Sequence, residues 1–258
     1  MEFLEIQGER LPKIGLGTWN MRGDTCYRAT LSALELGYRH IDTAEMYRNE
    51  ADVGRALADS GLDRSEIFVT TKVSPSHITH QGVLDAADNS LHRLGIDSID
   101  LYLVHWPSDR IPIEESMSGM NELVNQGKVR RIGVSNFSVS QLQEAESASA
   151  ARIFTNQIEY FIGYPQDAML GYCQENEVLL TAYSPLNRGR LHSSHALAAI
   201  AAARGVTSAQ VALRWLIQQD NVVVIPKSAH PDRQRENLDI FGFELSSDDI
   251  AQLGSAQR

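Results

Sequence analysis

A short apolar run, a polar residue and a longer segment with helical spacing follow one another eight times along this chain. Helical spacing is clear after the third run, where Val83, Ala87 and Leu91 lie at steps of four residues. Strands that alternate with helices favour parallel pairing through right-handed crossovers. The eight runs cover residues 14–17, 39–43, 67–72, 99–105, 131–135, 155–158, 179–183 and 222–226.

Eight such units in 258 residues predict an α/β fold of the TIM-barrel type, (β/α)8, as a single domain over residues 1–258. No low-complexity tract and no linker rich in Pro, Gly or Ser marks a domain boundary. A doubly wound open sheet is the alternative fold. It would place a GxGxxG phosphate loop after the first strand, but Asn20 stands at the third glycine position.

Charge and cysteine content exclude several classes of partner. A net charge of −10 disfavours nucleic acid and anionic lipid, although a small anion can still bind where basic residues cluster. Cys26 and Cys173 suit neither a disulfide framework nor a CxxC metal site. No apolar run approaches the ~18 residues of a membrane span, and the N-terminus lacks a signal-peptide pattern. We therefore expect a cytoplasmic monomer with no metal, membrane or nucleic-acid partner.

Polar side chains stand at the C-terminal end of every run, where the strands of a barrel converge on one pocket. Taken singly, Asp42 is typical of a turn, Lys72 of a solvated charge and His105 of a hydrogen-bonded core histidine. Together, and with Tyr47 in the loop after Asp42, they predict a reaction centre. The eight end residues are Thr18, Asp42, Lys72, His105, Ser135, Gln157, Tyr183 and Lys227.

The combination of tyrosine, lysine and histidine suits proton donation to a carbonyl oxygen. A tyrosine has an ordinary pKa of ~10, and we expect the ammonium group of Lys72 to lower the pKa of Tyr47. Asp42 would hold the lysine charged, and His105 would orient the substrate oxygen. No side chain supplies hydride, so carbonyl reduction requires a cofactor.

Other strand ends offer groups suited to such a cofactor. Ser135, Asn136 and Gln157 offer hydroxyl and amide groups for a nicotinamide carboxamide, and Tyr183 offers an aromatic face. A turn residue and a satisfied amide are the alternative interpretations of Asn136 and Gln157. Residues 226–237 form a local basic cluster that opens a helix, which predicts a phosphate site or, alternatively, a solvated helix start.

The chain resembles the aldo-keto reductases in six segments that occur in order between about residue 14 and residue 253. The segments are GLGTW (15–19), GYRHIDTAEMYRNEADVG (37–54), IDLYLVHWP (99–107), GKVRRIGVSNFS (127–138), NQIE (156–159) and IPKS (225–228). Within the family, the compact length resembles the bacterial prostaglandin-F-synthase-like and 2,5-diketo-D-gluconate reductase B branches.

The resemblance implies NADPH-dependent reduction of aldehydes and ketones, with Asp42, Tyr47, Lys72 and His105 as catalytic tetrad and Tyr47 as general acid. The substrates implied are small carbonyls, α-ketoaldehydes such as methylglyoxal, and keto sugars such as 2,5-diketo-D-gluconate. Trp19, Met46 and Trp106 would line the substrate pocket. The residues that would bind NADPH are Gly17, Thr18, Ser135, Asn136, Gln157, Tyr183, Ser184, Leu186, Lys227, Ser228, Arg233, Glu236 and Asn237.

Three departures from the family pattern lead us to expect an open site. Residues 73–75 lack the aromatic side chain of many relatives. The stretch after Tyr183 is short, so residues 187–190 are not expected to fold over the pyrophosphate as the longer loop of larger relatives does. The chain ends at Arg258, without the C-terminal loop that usually covers the substrate. Two other functions stay open: a Schiff-base enzyme that uses Lys72 or Lys227, and a nucleotide-sensing module without catalysis.

Overall fold

The computed structural model of the protein describes residues 1–190 and 195–255. Its first element is a hairpin of two antiparallel strands, β1 (Phe3–Ile6) and β2 (Glu9–Pro12). Gln7 and Gly8 connect them with φ values of 48° and 76°, the left-handed conformations of a two-residue turn that matches the twist of the strands. This hairpin was not predicted from the sequence.

The eight predicted runs form one sheet of eight parallel strands, which pair in the order of the chain. The strands are β3 (Leu16–Gly17), β4 (His40–Asp42), β5 (Phe68–Val73), β6 (Ile99–Val104), β7 (Val129–Ser135), β8 (Ile153–Glu159), β9 (Leu179–Tyr183) and β10 (Val222–Val224).

Hydrogen bonds between β10 and the residues around β3 close this sheet into a barrel. Ile14 and Val224 form a parallel bridge, and the Gly15 amide donates to the Val224 carbonyl at 2.8 Å. Farther along, the Gly17 amide donates to the Pro226 carbonyl at 3.1 Å. The TIM-barrel prediction is therefore confirmed, and the doubly wound alternative is wrong because an open sheet would leave both strands as unpaired edges.

Helices surround the barrel because each strand returns to the next through a helical crossover. α7 and α10 are additional to the eight helices that follow the strands. The helices of the described residues are α1 (Gly23–Leu36), α2 (Glu50–Asp59), α3 (His80–Leu94), α4 (Ile113–Asn125), α5 (Val139–Ala148), α6 (Asp167–Glu175), α7 (His195–Arg204), α8 (Ser208–Ile217), α9 (Pro231–Leu238) and α10 (Ser247–Ser255).

Local sequence explains where these helices begin and end. The Thr79 side chain accepts a hydrogen bond from the Gly82 amide at the start of α3, and Gly95 ends that helix with a φ of 65°. α5 begins with a reciprocal pair of bonds between Ser138 and Gln141, which satisfies amides that the first turn leaves free.

The interior of the barrel changes from apolar to polar along its axis. Side chains alternate between the two faces of each strand, so Phe68 of β5 and Leu101 and Leu103 of β6 point inward with Phe154, Leu179 and Val223. Ile6 and Leu11 of the hairpin join this cluster and close the N-terminal end of the barrel. The inward positions that follow, toward the C-terminal ends of the strands, carry the polar residues predicted above.

The described residues include no single helix that is long and apolar enough to cross a membrane. α7 and α8 pass that test only as a pair, and the two are bent by 95°.

Candidate active site

The four predicted catalytic residues lie at the C-terminal ends of three neighbouring strands. Asp42 ends β4, Lys72 lies near the end of β5, and His105 directly follows β6. Tyr47 belongs to the short 3-10 turn Glu45–Tyr47 after β4. Lys72 lies four residues after Phe68, and His105 lies two residues after Leu103, so the alternation of side chains also turns them inward.

Asp42 and Lys72 form a fully buried ion pair. Lys72 Nζ donates to Asp42 Oδ1 at 2.6 Å and to the Thr43 carbonyl oxygen at 2.8 Å. Asp42 Oδ2 accepts a hydrogen bond from Gln157 Nε2 at 2.7 Å. Burial raises the pKa of Asp42 and lowers the pKa of Lys72, whereas their mutual attraction opposes both shifts.

Tyr47 packs against both the lysine and the histidine. Lys72 Nζ lies 5.2 Å from the centre of the Tyr47 ring. The ring centres of Tyr47 and His105 are 5.6 Å apart in an edge-to-face arrangement. A phenol, an ammonium group and an imidazole thus meet in one place, as the sequence predicted.

The expected effect of Lys72 on Tyr47 is wrong in its net direction. Burial raises the pKa of Tyr47 well above its ordinary value, and the Asp42 carboxylate adds to the rise. The physical reason is that the buried phenol would lose its hydration on ionising and would lie close to the negative charge of Asp42. Tyr47 is therefore a neutral phenol over the whole neutral pH range.

His105 is a neutral imidazole for similar reasons. Burial lowers the pKa of His105 to about 3, and the charge of Lys72 contributes to the shift. Its Nδ1 atom is buried and has no hydrogen-bond partner among the described residues. A neutral imidazole offers one N–H donor and one acceptor, so His105 can orient an oxygen without adding charge.

The side chains predicted to hold a nicotinamide carboxamide lie together, but they are bonded to one another. Ser135 Oγ donates to the Gln157 carbonyl oxygen at 2.8 Å. Asn136 Nδ2 donates to the His105 carbonyl oxygen at 3.0 Å, and Asn136 Oδ1 accepts from the Tyr183 hydroxyl at 2.8 Å. The network fixes the Tyr183 ring beside the four candidate catalytic residues.

Two other predicted cofactor residues are constrained by the backbone. A Cβ atom at Gly17 would lie 2.7 Å from the Ile225 carbonyl oxygen, so closure of the barrel at this point requires glycine. Thr18 is buried, and its hydroxyl donates to the Asp42 carbonyl oxygen at 3.0 Å. Thr18 thereby ties the end of β3 to the end of β4.

The predicted phosphate residues follow β10, at the start of α9. Lys227 and Arg233 are exposed, and neither forms an ion pair with a described residue. The neighbouring Arg235, by contrast, pairs with Asp232 at 3.2 Å. Ser228 is buried and its Oγ accepts from the His230 amide at 3.1 Å, which orders the turn between Lys227 and the helix that carries Arg233.

The remaining predicted cofactor residues have mixed exposure. Ser184 adopts a left-handed backbone conformation with a φ of 49°, directly after β9. Leu186 packs partly buried against the core. In α9, Glu236 is half-buried and Asn237 is buried.

The three predicted substrate-wall residues are among the exposed large apolar side chains of the protein. Trp19, Met46 and Trp106 are 48%, 49% and 46% exposed. They follow β3, β4 and β6, and therefore stand at the same end of the barrel as the candidate catalytic residues. Exposed apolar groups grouped beside polar ones are typical of a binding surface.

Two residues that help to build this end of the barrel were not predicted from the sequence. Asn49 is buried and bonds to three backbone or side-chain oxygens: Nδ2 donates to the Thr18 and Met21 carbonyls, and Oδ1 accepts from the Thr43 hydroxyl. It joins the loop of Trp19 to the turn of Tyr47. The only sequence signal for Asn49 was its place inside the segment 37–54.

Arg188 is the second missed residue. The stretch 187–190, which was not expected to fold over a pyrophosphate, contains the turn Asn187–Gly189. From this turn the Arg188 guanidinium carbon reaches to 5.2 Å from the centre of the Trp19 ring. Since β10 lies between β9 and β3 in the barrel, this contact spans the end of β10.

Comparisons with known proteins agree with this geometry. The model of the aldo/keto reductase family matches residues 13–258. The chain is 39% identical over 253 residues to a Corynebacterium protein named 2,5-diketo-D-gluconic acid reductase B, covering 97% of this chain and 91% of that one. A crystal structure of a putative 2,5-diketo-D-gluconic acid reductase B superposes with a TM-score of 0.97 at 40% identity, covering 100% of this chain and 92% of that one. An aldo-keto reductase from Bombyx mori, solved with NADP, gives a TM-score of 0.92 at 33% identity, covering 99% and 92%.

Proposed function

The chain belongs to the aldo/keto reductase family, and we propose that it reduces aldehydes and ketones to alcohols with NADPH, using Tyr47 as general acid. The proposed substrates are small carbonyls, α-ketoaldehydes such as methylglyoxal, and keto sugars such as 2,5-diketo-D-gluconate. The observation that carries the proposal is the packing of the Tyr47 phenol against both the buried Lys72 ammonium group and the neutral His105 ring.

In this reaction Tyr47 donates its proton to the carbonyl oxygen as negative charge develops there. Because its pKa is raised, the phenol is fully protonated before the reaction. Lys72 stabilises the charge that appears on the tyrosine oxygen, and Asp42 holds the ammonium group in place. His105 hydrogen-bonds the substrate oxygen and orients it. When bound, NADPH supplies the hydride that reduces the carbonyl carbon.

The donors near β10 suit the phosphate groups of NADPH. Lys227 and Arg233 are exposed cations without an ion-pair partner among the described residues, in a chain of net charge −10. Arg233 stands in the first turn of α9 and Lys227 lies four residues before the helix, and a helix N-terminus also favours an anion through its free amides and its dipole. This chemistry supports NADPH over NADH, since only NADPH has a 2′-phosphate.

The geometry is less suited to the two alternatives predicted from the sequence. A Schiff-base lysine needs an accessible neutral amine, whereas Lys72 is fully buried and bonded to Asp42 and the Thr43 carbonyl. The other candidate, Lys227, is exposed and lies with the proposed phosphate donors after β10. A sensing module without catalysis does not require a phenol packed against both an ammonium group and a neutral imidazole.

Tyr47→Phe tests the proposed reaction because it removes the acid and keeps the ring. We expect methylglyoxal reduction, followed by NADPH absorbance, to fall by about 10²- to 10⁴-fold, with the dissociation constant of NADPH unchanged. Tyr27→Phe is the matched control, since the Tyr27 hydroxyl bonds to Asp59 between two outer helices. Substantial turnover by Tyr47→Phe would show that another group donates the proton.

A further inference from the structure

One cation at the catalytic end of the barrel has no part in the proposed reaction. The Arg188 side chain is 59% exposed, and its Nη2 atom lies 3.7 Å from Glu159 Oε1. That distance is short enough for charge attraction but too long for a hydrogen bond. The hydrogen-bond donors of the guanidinium group are thus not used by any described residue.

The surroundings of Arg188 place it beside the candidate substrate surface. Its guanidinium group lies over the ring of Trp19, which is itself half-exposed. Burial raises the pKa of Tyr183 to about 12, Glu159 and Tyr47 add to the rise, and Arg188 opposes it. Arg188 and Tyr47 therefore both influence the pKa of Tyr183.

A guanidinium group in this position is suited to a carboxylate. Its planar set of donors matches the two oxygens of a carboxylate, and stacking on an aromatic ring orients the plane while leaving N–H groups at its edge. In a chain of net charge −10, a cation with free donors beside Trp19, at the same end of the barrel as the four candidate catalytic residues, also attracts an anionic substrate locally.

We propose that Arg188 binds the carboxylate of an acidic carbonyl substrate while the aldehyde or ketone group lies at Tyr47 and His105. The enzyme then selects aldehydo and keto acids over neutral carbonyls of the same size. This inference rests on the proposed function. Glu159 competes with the substrate for Arg188, because its carboxylate is the only one paired with that guanidinium group in the described residues.

The test uses a matched pair of substrates, 4-carboxybenzaldehyde and its neutral methyl ester, methyl 4-formylbenzoate. The measured quantity is the ratio of kcat/KM for the acid to kcat/KM for the ester at saturating NADPH. We expect Arg188→Gln to lower this ratio by about two- to fivefold, as for a partly exposed ion pair. Arg190→Gln is the control, since Arg190 is an exposed arginine of the same loop, and it should leave the ratio unchanged.

A second substitution is expected to change this ratio in the opposite direction. Glu159→Gln should raise the ratio, because it frees Arg188 for the substrate. The same substitution in the Arg188→Gln background should have no effect, whereas simple repulsion between Glu159 and the acid would persist there.

Each other outcome overturns the proposal. An equal decrease of the ratio in Arg188→Gln and Arg190→Gln would indicate that the positive charge of the whole loop attracts the acid, without a specific site at Arg188. A larger dissociation constant of NADPH in Arg188→Gln, with an unchanged ratio, would show that Arg188 binds the cofactor. A wild-type enzyme that reduces neither of these aldehydes nor methylglyoxal would overturn the proposed function itself. That result is distinct from an enzyme that reduces the ester with a ratio insensitive to Arg188, which would overturn only the role of Arg188.

Discussion

At the scale of single residues, the site depends on charges that are kept out of water. Lys72 and Asp42 are both buried, and each is the other's only ionic partner among the described residues. A buried charge that loses its partner is far more costly than a pair that is removed together. The pair therefore has a structural role that is separable from its proposed role in catalysis.

We predict that Lys72→Met lowers the free energy of unfolding by about 3–5 kcal/mol, because the Asp42 carboxylate is left buried and unpaired. The double variant Asp42→Asn/Lys72→Met should recover most of this loss, since it removes both charges and keeps an oxygen for Gln157. Urea unfolding of the two single variants and the double variant measures the coupling. A double variant less stable than Lys72→Met would contradict the prediction.

A second residue-scale prediction concerns the cofactor. Because charge-assisted bonds from Arg to phosphate are worth ~1.5–3 kcal/mol, Arg233→Ala should weaken NADPH binding about tenfold or more and leave NADH binding unchanged. Arg235→Ala is the control, since Arg235 lies in the same helix and already pairs with Asp232. Equal weakening for both nucleotides would mean that Arg233 supports the helix or the adenine.

At the scale of elements, the hairpin β1–β2 closes the barrel at the end opposite the site. Leu11 is completely buried within the interior cluster, and Glu9 pairs with Arg130 and Arg131 of β7. Apolar contacts hold the hairpin from inside the barrel, and ion pairs hold it at the rim. The hairpin and the candidate active site thus lie at opposite ends of the strands.

We predict that Leu11→Ala lowers the free energy of unfolding by about 2–5 kcal/mol, the usual cost of a cavity of this kind. The kcat/KM for methylglyoxal should stay unchanged at temperatures where the variant is folded. Chemical denaturation and steady-state kinetics on the same preparation test both parts. A loss of activity in the folded variant would show that the hairpin also positions the site.

At the scale of the whole molecule, two histidines inside the barrel link folding to pH. Burial lowers the pKa of both His40 and His105 to about 3, with a contribution from Lys72 in each case. In the unfolded chain a histidine has a pKa of ~6.5, so the unfolded state takes up protons first as the pH falls. The contribution of these two histidines to the free energy of unfolding is therefore fully present above about pH 6.5 and is lost progressively as the pH falls toward 3.

We predict that the wild type loses about 1.4 kcal/mol per buried histidine between pH 7.5 and pH 5.5. His40→Gln should show a smaller loss over the same interval, whatever its absolute stability, because one of the two linked protons is absent. His92→Gln, at an exposed position, should keep the wild-type dependence. Urea unfolding at pH 7.5 and pH 5.5 measures this loss. A loss in His40→Gln as large as in the wild type would refute the link to this residue.

Local patterns were enough to predict the barrel and the residues at its reactive end. Strand alternation and helical spacing are properties of neighbours in the chain, so the eight runs and their polar ends could be read without the fold. The same patterns correctly predicted that Asp42, Lys72 and His105 would meet, because parallel strands end on one side. The hairpin β1–β2 was missed, since four-residue strands around Gln7-Gly8 give a weak signal.

Only the tertiary structure decided the electrostatics of the site and the contacts that cross it. The pKa of Tyr47 rises instead of falling because of its burial and the charge of Asp42, and both depend on how the barrel packs around the phenol. The contact between Arg188 and Trp19 joins residues far apart in sequence and depends on the closure of β10 onto β3. Sequence neighbours encode periodicity, whereas desolvation and Coulomb energy depend on distances that exist only once the barrel has closed.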